Sequence, residues 1–138
     1  MQGGKKAILE SLCKTHKFLL GIFYAVSGDT LVGGDHFTKD AKLDAFVAES
    51  KKVPVKKGSG LRGRVWDSGN HEWDANVQNL EEAKYARKKL AVTHGLKACI
   101  GVAVKEGGKV VGVMEFYMKD EKKEDAAIIT AMKKEVQK

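Results

Sequence analysis

The chain has 138 residues, 43% of them apolar and 31% charged, with a formal net charge of +7. That length is near the commonest domain size and supplies a core without a metal or disulfide staple, and the apolar content excludes a disordered chain. The excess of lysine is spread over the whole chain in pairs, such as Lys5-Lys6, Lys56-Lys57, Lys88-Lys89 and Lys133-Lys134, interleaved with acids; this reads as solvated helix faces and argues against a nucleic-acid surface, which gathers its cations and adds exposed aromatics.

Lys5 to about His16 has Ile8 and Leu12 at helical spacing, with Cys13 or His16 near the same face. Phe18 to Val26 alternates as a strand: Leu20, Ile22, Tyr24 and Val26 against Leu19, Phe23 and Ala25. Ser27-Gly28-Asp29 is a turn, and Thr30 to Val32 begins a partner strand. Lys42 to about Lys51 is an amphipathic helix with Leu43, Phe46, Val47 and Ser50 on one side. Val53-Pro54-Val55 is extended and suits a sheet edge, because proline lacks the ladder donor. Gly58, Gly60 and Gly63 then introduce a short helix, Leu61 to Asp67, which stops at Gly69 and turns Val65 and Trp66 toward the sheet.

Asn79-Leu80-Glu81-Glu82 has capping-box spacing. It predicts a helix with Ala83, Ala86, Leu90 and also Tyr85 inward, ending at His94-Gly95. Ala98 to Lys105 and Val110 to Met118 alternate around Gly107-Gly108 and predict a hairpin. The last helix is expected from about Lys122 to Val136, with Ile128 or Ile129, Met132 and Val136 inward. The fold class expected is α+β. A central antiparallel sheet of about five or six strands carries the N- and C-terminal helices on one face; loops and short helices form a pocket on the other. No repeat or linker divides the chain, so residues 1–138 read as one domain.

Two cysteines, Cys13 and Cys99, are too few for a disulfide scaffold and fit a reducing, cytoplasmic setting. No apolar run reaches membrane length. The start MQGGKK has no leader-like apolar stretch, and Gln2 stands where myristoylation needs glycine. The spacing Gly58-Ser59-Gly60-Leu61-Arg62-Gly63 lacks the Walker lysine and the parallel strand context that a dinucleotide site requires. Cys13-x-x-His16 has metal-ligand spacing but no second pair, so no metal site is expected.

Three stretches resemble the GAF domain, a small-ligand sensory module. Gly58-Ser59-Gly60-Leu61-Arg62-Gly63-Arg64-Val65-Trp66 with Ser68-Gly69 resembles its glycine-rich segment. Glu72-Trp73-Asp74-Ala75-Asn76-Val77 resembles the extended piece that follows. Gly95 to Val104, the Gly107-Gly108 turn and Val110 to Phe116 resemble its paired central strands. The resemblance implies a pocket between these segments and the sheet, with ligand-binding candidates Trp66, Trp73, Asp74, Val77, Arg87, Glu115 and Tyr117. Trp66 and Trp73 also read as plugs of the core, and Asp74 and Arg87 as surface charges.

Subfamily chemistry narrows the reading. Bilin-binding members attach pigment through a cysteine that would fall near Ala86-Arg87, so no covalent cofactor is expected. Phe116-Tyr117 stands where cyclic-nucleotide binders carry Asn-Lys. Reductases of free methionine-(R)-sulfoxide need a paired cysteine; none is seen at matching positions, and the chain is expected not to be an enzyme, with no catalytic residue. The function expected is non-covalent binding of a small molecule, signalled through the terminal helices. The resemblance implies homodimerisation through those helices and an effector domain or partner protein; no membrane partner is expected. The alternatives are a ligand-free dimerisation or scaffold module and, ranked after it, a free methionine-(R)-sulfoxide reductase-type enzyme.

Overall fold

The computed structural model describes residues 4–137; Met1–Gly3 and Lys138, the ends of the span read as one domain and the beginning of MQGGKK, lie outside the described residues. Five strands form one antiparallel sheet in the order β2-β1-β5-β4-β3. They are β1 (Leu20–Ser27), β2 (Thr30–Thr38), β3 (Glu72–Asp74), β4 (Ala98–Glu106) and β5 (Lys109–Met118). The helices are α1 (Lys6–His16), α2 (Asp44–Lys52), α3 (Gly60–Ser68), α4 (Lys88–Thr93) and α5 (Ala126–Val136). The class is α+β, as the alternation and turn chemistry predict. Among the described residues no helix is long and apolar enough to cross a membrane.

Strand alternation divides the core in two. On one face Leu9, Leu12 and Cys13 of α1 and Ile129, Met132 and Val136 of α5 pack on Ile100, Val102, Met114 and Phe116. On the other, Phe46 and Val47 of α2, Leu61, Val65 and Trp66 of α3, and Ala91 of α4 pack on Ile22, Tyr24, Cys99 and Tyr117. α3 lies close to the sheet because β4 offers Gly101 there; a Cβ at Gly101 would come within 2.7 Å of Leu61.

Three local expectations are corrected. Val53–Val55 is not a strand; the sheet meets this segment through an isolated Thr30–Lys56 bridge and a hydrogen bond from the Thr30 hydroxyl to the Val55 carbonyl at 3.1 Å. The capping box at Asn79 does not form. Asn76 instead caps a 3₁₀ turn over Val77–Asn79, accepting from the Gln78 amide at 2.9 Å, and Leu80 is extended. Turns then occupy the stretch to Arg87, and α4 spans only Lys88–Thr93. The physical reason lies inward: Tyr85 and Arg87 are both buried, and residues two apart on a helix point to nearly opposite sides. Ala83 and Ala86 are exposed as a result. α5 begins at Ala126 rather than near Lys122, because Asp125 is its cap and accepts from the Ala127 and Ile128 amides.

Candidate functional site

The sheet face under α2, α3 and α4 carries buried charge. Glu115 stands mid-strand on β5, opposite Gly101 and Ile22, and is fully buried. Arg87 reaches it from the turn before α4 with two parallel hydrogen bonds, Nη1 to Oε1 at 2.7 Å and Nη2 to Oε2 at 2.6 Å. Arg87 also donates to the Ser50 hydroxyl at 3.2 Å, while Arg62 donates to the Ser50 carbonyl at 3.0 Å. The Arg62 guanidinium lies over the Tyr24 ring, 4.7 Å from its centroid, and the Arg87 guanidinium lies 5.0 Å from that of Tyr85. The Tyr85 and Tyr117 hydroxyls bond to each other. The Tyr24 hydroxyl is buried without a partner.

Burial disfavours charge on both partners of the central pair, and their mutual attraction outweighs it. Burial alone would lower Arg87, yet the Glu115 carboxylate holds it well above its ordinary value. Burial alone would raise Glu115, yet Arg87 holds it below the usual carboxylate range. Burial pushes the tyrosines the other way: Tyr24, Tyr85 and Tyr117 are all raised and stay neutral. Among the described residues two guanidiniums, Arg62 and Arg87, are buried with one buried carboxylate, Glu115, so the cluster carries an excess of positive charge.

Beside this cluster a cavity of ≈ 330 Å³ opens between α3, β3 and the 80–87 segment, lined by Arg64, Glu72, Asp74, Leu80 and Lys84. Arg64 clamps Glu72 with hydrogen bonds of 2.9 and 2.8 Å and donates to the Lys84 carbonyl at 3.0 Å, so it ties α3 to both other walls. Burial, followed by the neighbouring Glu72 carboxyl, pushes Asp74 up to about 7. One of its oxygens, Oδ2, is buried without a partner.

The residues singled out in the sequence are brought together in part. Arg87, Glu115 and Tyr117 join the buried network, and Asp74 lines the adjacent cavity. Trp66 and Val77 are buried in the core of the same face, with the Lys57 ammonium 5.6 Å from the Trp66 ring centroid. Trp73 is separated from them: it pairs with Ile100 and packs on the α1–α5 face, its Nε1 donating to the Lys122 carbonyl at 2.7 Å. Tyr24, Ser50, Arg62, Arg64 and Glu72 were not anticipated as site residues. Ser50 on the apolar side of its helix and Glu115 inside an apolar strand were the legible signs of buried polar partners. Both cysteines are buried on opposite faces, and burial pushes the Cys13 thiol up to about 12 and Cys99 well above its ordinary value.

The sequence matches the NLP protein GAF domain over residues 26–137, and the chain belongs to that family. No curated protein gives a significant match. Among solved structures, the chain resembles the A. aeolicus nlh2 GAF domain in an inactive state at 21% identity and a TM-score of 0.67, covering 93% of this chain and 73% of that one. It resembles the NreA protein of Staphylococcus aureus, mutated in its nitrate-binding site, at 20% identity and a TM-score of 0.63, covering 83% of each. It also resembles free methionine-R-sulfoxide reductase from Neisseria meningitidis at 17% identity and a TM-score of 0.69, covering 96% of this chain and 72% of that one. The last similarity corrects the expectation that the chain is not an enzyme: the same fold carries a reductase, and catalysis stays open for this chain.

Proposed function

We propose that the chain is a sensory or regulatory GAF domain that takes a small molecule non-covalently at its polar sheet face and signals through its terminal helices. The observation that carries this reading is the buried Arg87–Glu115 pair with Arg62 beside it. Removing ions from water costs several kcal/mol each, and apolar residues of similar volume would serve stability as well or better. The excess positive charge and the unpartnered Tyr24 hydroxyl favour an anion that accepts hydrogen bonds. The nitrate site of the similar NreA protein makes a small oxyanion the first class to test. The 80–87 segment forms the cover, and the cavity at Arg64 and Asp74 is the way in. Homodimerisation through α1 and α5, and an effector domain or partner protein, belong to the same reading, as does a cytoplasmic setting.

One observation favours a ligand-free scaffold instead: Trp66 is buried in the apolar cluster of this face, and neither it nor Arg87 or Glu115 lines the cavity. Native mass spectrometry of the protein as purified decides between the two. A retained small molecule that leaves on denaturation supports the sensor. A clean apo dimer with no thermal shift across an oxyanion panel supports the scaffold.

A further inference from the structure

β3 is only Glu72–Asp74, yet its two faces meet different parts of the molecule. Glu72 and Asp74 face the cavity, opposite Gly101 and Cys99 of β4. Trp73 points through to the other side and holds the Lys122 carbonyl at 2.7 Å. Its neighbours in sequence hold the same connector. His71 meets Glu124 at 2.9 Å, Asn76 donates to Glu121 at 3.0 Å, and the Lys122 amide donates to the Ala75 carbonyl at 3.2 Å. This connector ends at Asp125, whose carboxylate caps α5. A three-residue strand at the sheet edge thus ties the cavity mouth to the first turn of a terminal helix.

We propose that β3 is the coupling element of the sensor, carrying a change of charge or occupancy at Glu72 and Asp74 through Trp73 to the 119–125 connector and the start of α5. This rests on the sensory reading above and supplies its route. An edge strand with one partner is free to shift where a central strand is not. In antiparallel pairing a small rotation of β3 moves its inward and outward side chains together. Arg64 sets the resting position from α3, since it clamps Glu72 and the 80–87 cover at once.

Protonation at Asp74 is a probe that needs no identified ligand. The groups facing Asp74 are Glu72 on its own strand, Arg64 from α3, and Glu115 of β5, with Cys99 opposite on β4 and Lys84 from the cover beside Glu72. His71 with Glu124, and His16 near Asp125, are the titratable groups close to the connector. The experiment follows the Trp73 indole and the Glu72, Ala127 and Ile128 amides by NMR on the full chain, from pH 5.5 to about pH 8.5. In the unmodified protein all four are expected to shift together, with a midpoint at about 7. His71→Gln and His16→Gln are expected to leave the shifts, and Asp74→Asn made in that background is expected to abolish them. Trp73→Phe is expected to leave the Glu72 response and remove those of Ala127 and Ile128.

A flat Ala127 and Ile128 beside a titrating Glu72 would overturn the coupling and leave the sensor reading standing. So would a response that persists when Asp74→Asn is made in the His16→Gln/His71→Gln background, or one that Trp73→Phe does not change. Failure to find any retained small molecule would count against the sensor without touching these proton-driven shifts.

Discussion

The two faces of the sheet are made by the same strands and differ in kind. The face under α1 and α5 is a conventional core of leucine, isoleucine, valine, methionine and phenylalanine. The face under α2, α3 and α4 buries two arginines, a glutamate, a serine and three tyrosine hydroxyls. On β5 the change happens between neighbours: Met114 and Phe116 point one way, Glu115 and Tyr117 the other. One face is organised for stability and carries the terminal helices. The other adds fixed charges and hydroxyls to its apolar packing, the kind of groups that recognition of a polar ligand uses.

The largest expected effect tests the apolar face. Phe116→Ala removes a fully buried ring packed at a tilt against Phe18, with centroids 5.0 Å apart, and should cost about 3–5 kcal/mol in denaturant unfolding. Arg87→Ala should cost a comparable amount of about 3–5 kcal/mol, for a different reason: it strands the Glu115 charge. The comparison is sharpened by rescue. The double variant Arg87→Met/Glu115→Leu should recover the loss, and end between neutral and about 1–4 kcal/mol more stable than the unmodified chain. A double variant as unstable as Arg87→Ala would show that the polar face serves stability after all.

Smaller effects resolve the details. Tyr85→Phe leaves the Tyr117 hydroxyl buried without its partner and should cost about 1–3 kcal/mol. Asp125→Ala removes the cap of α5 and should cost about 1 kcal/mol, with faster hydrogen exchange in the first turn of that helix. The last effect is one of sign. Asp74 holds its proton more tightly when folded, its value lying at about 7 against 3.8 for the free side chain. Its contribution to stability is therefore full below about 3.8 and is lost as pH rises toward about 7. Glu72 is shifted downward and acts only at lower pH, where its contribution is lost as it protonates. Asp74→Asn should accordingly flatten the fall in melting temperature between about pH 4 and about pH 7, and a fall of unchanged slope would reassign it to another group.

Much of the fold was legible in local pattern. The alternation of Ala98–Lys105 and Val110–Met118 around Gly107-Gly108 is the hairpin β4–β5, and Gly69 ends α3 as its spacing implied. The site was legible only at its strand end. Glu115 and Tyr117 sit in a strand whose register the sequence states, so their face could be read. Arg62, Ser50 and Tyr24 come from three other elements, and nothing local says that Ser50 and Arg62, or Arg62 and Tyr24, meet. The Asn79 capping box misled because Tyr85 and Arg87 both have inward partners, and tertiary contacts overrode a local helix signal. Trp73 misled because its place on a GAF-like stretch suggests the pocket, whereas the register of β3 turns it to the other face.

The claim that the polar face exists to bind is tested most directly by calorimetric titration of sodium nitrate and a panel of related oxyanions. The unmodified chain and the Arg87→Met/Glu115→Leu variant are compared at constant ionic strength. The account predicts saturable binding of at least one oxyanion to the unmodified chain and none to the folded variant. Equal responses from both proteins, or none from either, would contradict it.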